Sequence, residues 1–287
     1  MQRRGSRLRN TAIPALTMSS TSVSSTWSPF QITNSGSTLE WTVSNGLTIA
    51  KRIVNEPTFD FSGNQGTADI LVEKFDGLTL FNCRNLEVTE LDITQNTALT
   101  TLYAFTNLLS SLNVSKNTEL TILNFSTNEI SEIDISNNAA LLDLACPNNL
   151  LTQLDVSNNI ALTDLHFATN SVTELDVSKN TELTFLNCKV NELSVLDLSN
   201  NTKLQNLFCY SNAISVLDIS NNTALTGLYC YENNQAPAVT DQIFIDLDAH
   251  GNSNGELNIR NNRTSASDAA RANLITKGWT IDDNYTS

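Results

Sequence analysis

The 287-residue sequence predicts a mainly β solenoid, a nearly straight coil with a small β-module at its N-terminal end and an α/β cap at its C-terminal end. Three observations predict it. Leu102, Leu123, Leu144, Leu165, Leu186, Leu207 and Leu228 recur every 21 residues, with Phe81 one period earlier, and a fixed period of this size marks stacked structural units. Around each of these leucines apolar and polar residues alternate, as Leu102 and Ala104 do between Thr101, Tyr103 and Phe105, the pattern of a strand with one buried face. Asparagine, at 38 residues against 10 glycines, falls largely in two columns of the same period, so asparagine is expected to take the place of glycine in the turns.

Each coil is justified by further columns. Leu99 to Leu225 and Leu91 to Leu217 recur at the same interval. So do Val88 to Ile214, Ile93 to Ile219, and the column Cys83, Ala104, Phe125, Cys146, Phe167, Cys188, Cys209 and Cys230. One coil cannot bury its apolar face alone, so neighbours must stack into a continuous core. The Asn107-to-Asn233 column sits where the strand turns, and the Asn96-to-Asn222 column closes the opposite turn. The segment LDVSxNT between them is too rich in Ser, Thr and Asn for a helix, and the alternation of Leu112 and Val114 suggests a second short extended segment. The unit LxxLx(C/F)xxNx(L/I)xxLD(V/I)SxNT resembles the leucine-rich repeat, LxxLxLxxNxL, over residues 79–234, about eight coils. That resemblance implies a right-handed coil and a recognition scaffold. Repeats of this bacterial and phage type imply adhesion or host recognition on bacterial surfaces or in phage tail-associated proteins.

The ends differ from the repeats. Residues 1–26 form a basic, Ser/Thr-rich arm carrying Arg3, Arg4, Arg7 and Arg9, and its short stretch TAIPALTM, broken by Pro14, does not read as a cleavable secretory signal. Residues 27–78 alternate at Leu39, Trp41 and Val43, at Phe59 and Phe61, and at Ala68, Ile70 and Val72, with Gly63 and Gly66 between, which predicts a small antiparallel β-module capping the open core. Residues 235–287 form the C-terminal cap. Thr240 is expected to N-cap a short helix that turns Ile243, Phe244 and Leu247 inward and stops near Gly251. The stretch ELNIRNN repeats the strand pattern. A second helix is expected from Ser267 through Leu274 and Ile275 to Gly278, with Trp279 and Ile281 closing the core.

Composition excludes several functions. Lys+Arg 16 against Asp+Glu 30 gives a formal charge of -14, unsuited to holding a phosphate backbone, so no nucleic-acid partner is expected. No apolar run is long enough to insert in a membrane. The five cysteines share one inward column, which reads as buried reduced thiols rather than disulfides or a zinc cage. Asp92, Asn113, Asp134, Asp155, Asp176, Asp197 and Asp218 form a column whose readings are a solvated ladder or weak calcium binding. On the exposed strand face, Asp143, Asp164 and His166 read as a solvated polar patch or a loose cation site; without a nucleophile they predict no catalytic site, no resident metal, no cofactor and no enzyme.

Further along the same face lie Phe185, Asn187, Lys189, Asn206, Phe208, Tyr210, Tyr229 and Tyr231, with Tyr103 and Phe105 near the other end. Five aromatics over three coils read either as a platform for a protein or glycan or as a cross-strand ladder that stiffens the sheet, and the candidate ligand-binding residues are Phe185, Asn187, Lys189, Phe208, Tyr210, Tyr229 and Tyr231. Two functions follow as expectations. The first is a non-enzymatic recognition protein at an extracellular surface. The second is a structural subunit of a virion, anchored to assembly partners through residues 1–26 and the β-module.

Overall fold

The structure, a computed structural model, describes residues 15–20, 32–34, 40–43, 68–73, 78–85, 87–260 and 263–283, with side chains from residue 78 onward. Much of the N-terminal arm, together with Leu39, Phe59, Phe61, Gly63 and Gly66, lies outside the described residues. Strands β1 (Ala15–Ser20), β2 (Ile32–Asn34), β3 (Glu40–Val43), β4 (Ala68–Glu73), β5 (Leu78–Asn82) and β6 (Val88–Asp92) come first. One three-residue strand per coil follows: β7 (Thr101–Tyr103), β8 (Ile122–Asn124), β9 (Asp143–Ala145), β10 (Asp164–His166), β11 (Phe185–Asn187), β12 (Asn206–Phe208) and β13 (Gly227–Tyr229). Helix α1 (Pro237–His250), β14 (Glu256–Asn258), helix α2 (Asp268–Thr276) and β15 (Thr280–Asp282) close the chain.

Ten strands, β5 and β7 to β15, make a parallel ladder with β2 antiparallel at its edge on β5. Register is locked residue to residue, Leu102 on Leu123, Leu144 on Leu165, Leu186 on Leu207 and Leu207 on Leu228, because a slip of one would turn every leucine outward. These leucines are fully buried in one continuous core that runs from Leu78 to Trp279. A second, antiparallel sheet has the order β3-β4-β1-β6, so part of the basic N-terminal stretch, β1, is a strand held between β4 and β6.

The first asparagine column explains how the front turns hold. Asn149 donates its amide to the Phe125 carbonyl of the preceding coil at 3.1 Å and to the Cys146 carbonyl of its own at 3.2 Å, while its Oδ1 accepts from the Ile130 N–H at 3.1 Å. Asn107, Asn128, Asn170, Asn191, Asn212 and Asn233 repeat this pattern. In the second column, Asn117 donates to the Ile93 and Asn96 carbonyls, and Asn138, Asn159, Asn180, Asn201 and Asn222 do likewise. Side-chain amides join successive coils there. Leu112 and Val114 alternate inward as predicted, but among the described residues no strand forms on that side beyond β6.

The asparagine amides hold the turns as the sequence predicts, and the backbone adds a further feature. The left-handed backbone position is not the column asparagine but the residue before it: Thr106, Thr127, Asn148, Thr169, Val190, Ser211 and Glu232 all have φ of 53–56°. The asparagine anchors the turn by hydrogen bonding, and its neighbour carries the strain. A β-branched side chain there is costly, since its Cβ crowds the adjacent backbone. Val190→Asn is therefore expected to raise stability by about 1 kcal/mol, matching the residue that Asn148 already supplies, as read by the midpoint of urea unfolding.

At the C-terminal end the expected helix forms but starts earlier. Pro237 occupies its first turn with Ala236 at the N-cap, so Thr240 lies inside the helix, fully buried, and does not cap it. Ile243, Phe244 and Leu247 face inward, and Gly251 ends the helix at φ 79°. Ser267 likewise turns away from capping α2: its hydroxyl donates to Asp241 at 2.6 Å, and Thr264 donates to the same carboxylate through N–H and hydroxyl. Burial raises the Asp241 carboxyl, and these bonds outweigh it to leave it below its ordinary value. Trp279 closes the core, its indole N–H donating to the Asn252 carbonyl at 2.9 Å. Gly255 lets it in, for a Cβ at that position would meet the ring at 2.6 Å.

Candidate functional site

Parallel in-register strands stack like positions one coil apart, about 4.8 Å, which brings side chains of one column into contact. Two aromatic rows result on the exposed strand face. In the first, Phe185 and Phe208 have ring centroids 5.5 Å apart and tilted by 42°, and Phe208 stacks on Tyr229 at 4.4 Å and 13°. His166 meets Phe185 edge-on at 6.5 Å, which joins the Asp143–Asp164–His166 patch to the row. In the second, Tyr210 and Tyr231 stack at 4.3 Å and 11°, Lys189 Nζ lies 5.1 Å from the Tyr210 centroid, and the Arg260 guanidinium lies 5.2 Å from that of Tyr231. Tyr103 and Phe105 form a separate edge-on pair at 6.4 Å, with Arg84 over Phe105.

Of the seven residues expected to bind, six are half-buried and line these rows. Asn187 is different. It is 7% exposed, pairs in the ladder between His166 and Phe208, and its Oδ1 accepts from the Lys189 N–H at 3.5 Å, so it forms the floor of the platform. Asn206 lies beside Gly227, where a Cβ would stand 2.4 Å from the Asn206 Oδ1; glycine leaves room for that amide next to Tyr229.

No protein-family model matches the chain, and no curated protein sequence matches it. Solved structures do. It is similar to the functional domain of InlJ from Listeria monocytogenes, which includes a cysteine ladder, at 38% identity and a TM-score of 0.52 over 54% of this chain and 40% of that one. It is similar to an internalin (InlF) of the same organism at 21% identity and 0.54, over 68% of this chain and 65% of that one. It is also similar to the leucine-rich repeat ectodomain of the plant receptor kinase GASSHO1/SCHENGEN3 from Arabidopsis thaliana, solved with CASPARIAN STRIP INTEGRITY FACTOR 2, at 19% identity and 0.53, over 66% and 24%. The fold is a leucine-rich repeat solenoid. The chain spans less than two thirds of the length of each of these proteins.

Elsewhere on the leucine-rich repeat solenoid the cysteines and the column aspartates are engaged with the coils themselves. All five cysteines are free and buried, and burial pushes their thiols up, Cys83 and Cys188 to about 12. In the aspartate column, Asp134, Asp155, Asp176, Asp197 and Asp218 each accept the N–H of the serine two residues on at 2.9 Å, and the serine hydroxyl and N–H hold these carboxyls below 3.8 despite their stacking. Among the described residues no cluster of three or more His, Cys, Asp or Glu is placed to hold a metal ion, and no helix is long and apolar enough to cross a membrane.

Two front-face groups titrate away from their ordinary values. Burial, then the charge of Asp164, raises Asp143. Burial, then Lys189, lowers His166 below 6.5. As pH falls below 6.5 the unfolded chain takes up a proton at residue 166 before the folded chain does, so His166 contributes stability above 6.5 that is lost through that window. The stacked aspartates lose theirs only below 3.8. Urea midpoints measured from neutral pH downward are expected to show both declines, and His166→Asn is expected to remove the first alone.

Sequence reasoning stopped the face at Tyr231 and missed Arg260 and Glu256. The signal was present, because aligning Leu257 with Leu228 places Arg260 in the column of Lys189, Tyr210 and Tyr231.

Proposed function

We propose that this protein is a non-enzymatic recognition module that docks a protein or glycan on its front face through Phe185, Lys189, Phe208, Tyr210, Tyr229 and Tyr231. The observation that carries this reading is the pair of contiguous aromatic rows, half-exposed and mounted on rigid strands over the last coils. Tyrosine and its neighbours supply large contact area for little lost side-chain freedom, and binding energy concentrates in such clusters. Adhesion or host recognition, displayed at a cell surface or on a virion, is the finer form of this reading and rests on the likeness of the repeats to those of bacterial surface and phage tail-associated proteins. A virion or particle subunit anchored through residues 1–26 and the β-module is the second reading, supported by the basic residues gathered in that stretch.

The test is a binding panel of cell surfaces, proteins and glycans read with three chains. Tyr210→Ala/Tyr229→Ala is expected to weaken binding by roughly 30-fold or more. The control Val195→Ser/Val216→Ser, at exposed positions two residues before the aspartate column, is expected to bind like the parent. Equal binding by all three chains would place recognition elsewhere.

A further inference from the structure

Ring orientation narrows what can dock. Lys189, Tyr210, Tyr231 and Arg260 come from four successive turns of one column, so each cation covers the ring face that the other tyrosine leaves. Both faces of both rings are occupied. In the neighbouring row Phe208 has Tyr229 on one side and Phe185 on the other. What the rows turn outward is rims and hydroxyls. A pyranose docks by laying its C–H groups on an electron-rich ring face, and within the rows both faces of Tyr210, Tyr231 and Phe208, and one face each of Phe185 and Tyr229, are engaged by neighbours. The rim is the positive part of the aromatic quadrupole and attracts oxygen atoms and anions.

One cation on this face is left without an ion pair. Asp164 accepts from the Thr163 hydroxyl at 2.7 Å, Glu232 from the Ser211 hydroxyl, and Asp282 from Arg260 at 2.9 Å. These three carboxylates have local donors, and Arg260 is paired with Asp282; Asp143, beside Asp164, and Glu256, near Tyr229, carry further negative charge toward the edges of the first row. Lys189 has no carboxylate within ion-pair distance among the described residues; it lies over the Tyr210 ring, close enough to His166 for its charge to be felt there. The column aspartates that supply much of the charge of -14 sit in the opposite half of each coil, and screening at physiological salt shortens their reach to about 8 Å.

We infer that the partner is a protein segment presenting an Asp or Glu carboxylate to Lys189 while its carbonyl oxygens meet the tyrosine and phenylalanine rims. This deepens the recognition reading above and rests on it. The experiment selects binders to the full chain from a random peptide library and, in parallel, probes a glycan array. Selected peptides are expected to be enriched in Asp and Glu. Their affinity should fall at least tenfold with Lys189→Glu and with Lys189→Ala, and replacing the peptide acid by its amide should cost the parent as much but the Lys189→Glu chain nothing more. Peptides without acidic enrichment, or insensitive to Lys189, overturn the inference. Glycans bound by the parent and lost with Tyr210→Ala/Tyr229→Ala overturn it while leaving the recognition reading intact. Binders indifferent to every front-face substitution, or none in either screen, overturn both.

Discussion

Asn149→Asp is expected to cost about 3–5 kcal/mol of stability, enough to eliminate much of the margin of an ordinary domain. The amide of Asn149 serves two carbonyls at once, those of Phe125 and Cys146, in the turn between coils. Aspartate keeps the oxygen that accepts from the Ile130 N–H but aims a second acceptor at both carbonyls. Two buried backbone acceptors lose their donor, and a charge is placed among them. Asn149→Ala, which removes the side chain without adding charge, should cost less, about 2–3 kcal/mol. Urea unfolding monitored by circular dichroism decides both points: an aspartate chain as stable as the alanine chain would mean that the added charge costs nothing, and an alanine chain as stable as the parent would mean that the amide's bonds contribute nothing.

Phe167→Ala is expected to cost about 3–5 kcal/mol, because a fully buried ring leaves a cavity that rigid neighbouring coils cannot fill. The column through this position alternates in volume, with Ala104, Phe125, Cys146, Phe167 and Cys188 in successive coils. Each large ring sits between small side chains. Cys146→Phe would set three rings in a row and is expected to cost about 1–3 kcal/mol by overpacking. A compensated chain, Phe167→Cys with Cys188→Phe, moves the ring along by one coil. It should recover part of the loss seen in Phe167→Cys alone, whereas full additivity of the two changes would show that the column does not pack as a unit.

The solenoid was legible in the sequence because its core is written as columns: once Leu102 and Leu123 are read as equivalent, stacking and inward direction follow from the period. The inward residues of the cap, Phe244, Leu257 and Trp279, were legible for the same reason. Features set by neighbouring coils were not. Val190 and Glu232 adopt left-handed backbone although nothing in their chemistry favours it, because the strand below and the asparagine above fix both ends of the turn. Thr240 resembles a cap, yet Pro237 has already begun the helix. The aromatic columns could be read, but the mutual covering of ring faces, the burial of Asn187 and the arrival of Arg260 over Tyr231 depend on three-dimensional placement.

In-register stacking also makes the chain a ruler. The antiparallel sheet holds one end, the aromatic rows begin at Phe185, and the coils between them touch only their neighbours. Removing one 21-residue unit between Leu120 and Leu162 would bring the platform closer to that sheet by about 4.8 Å and leave the face itself unchanged. How far the platform stands from whatever carries it is thus set by counting units, independently of what it recognises.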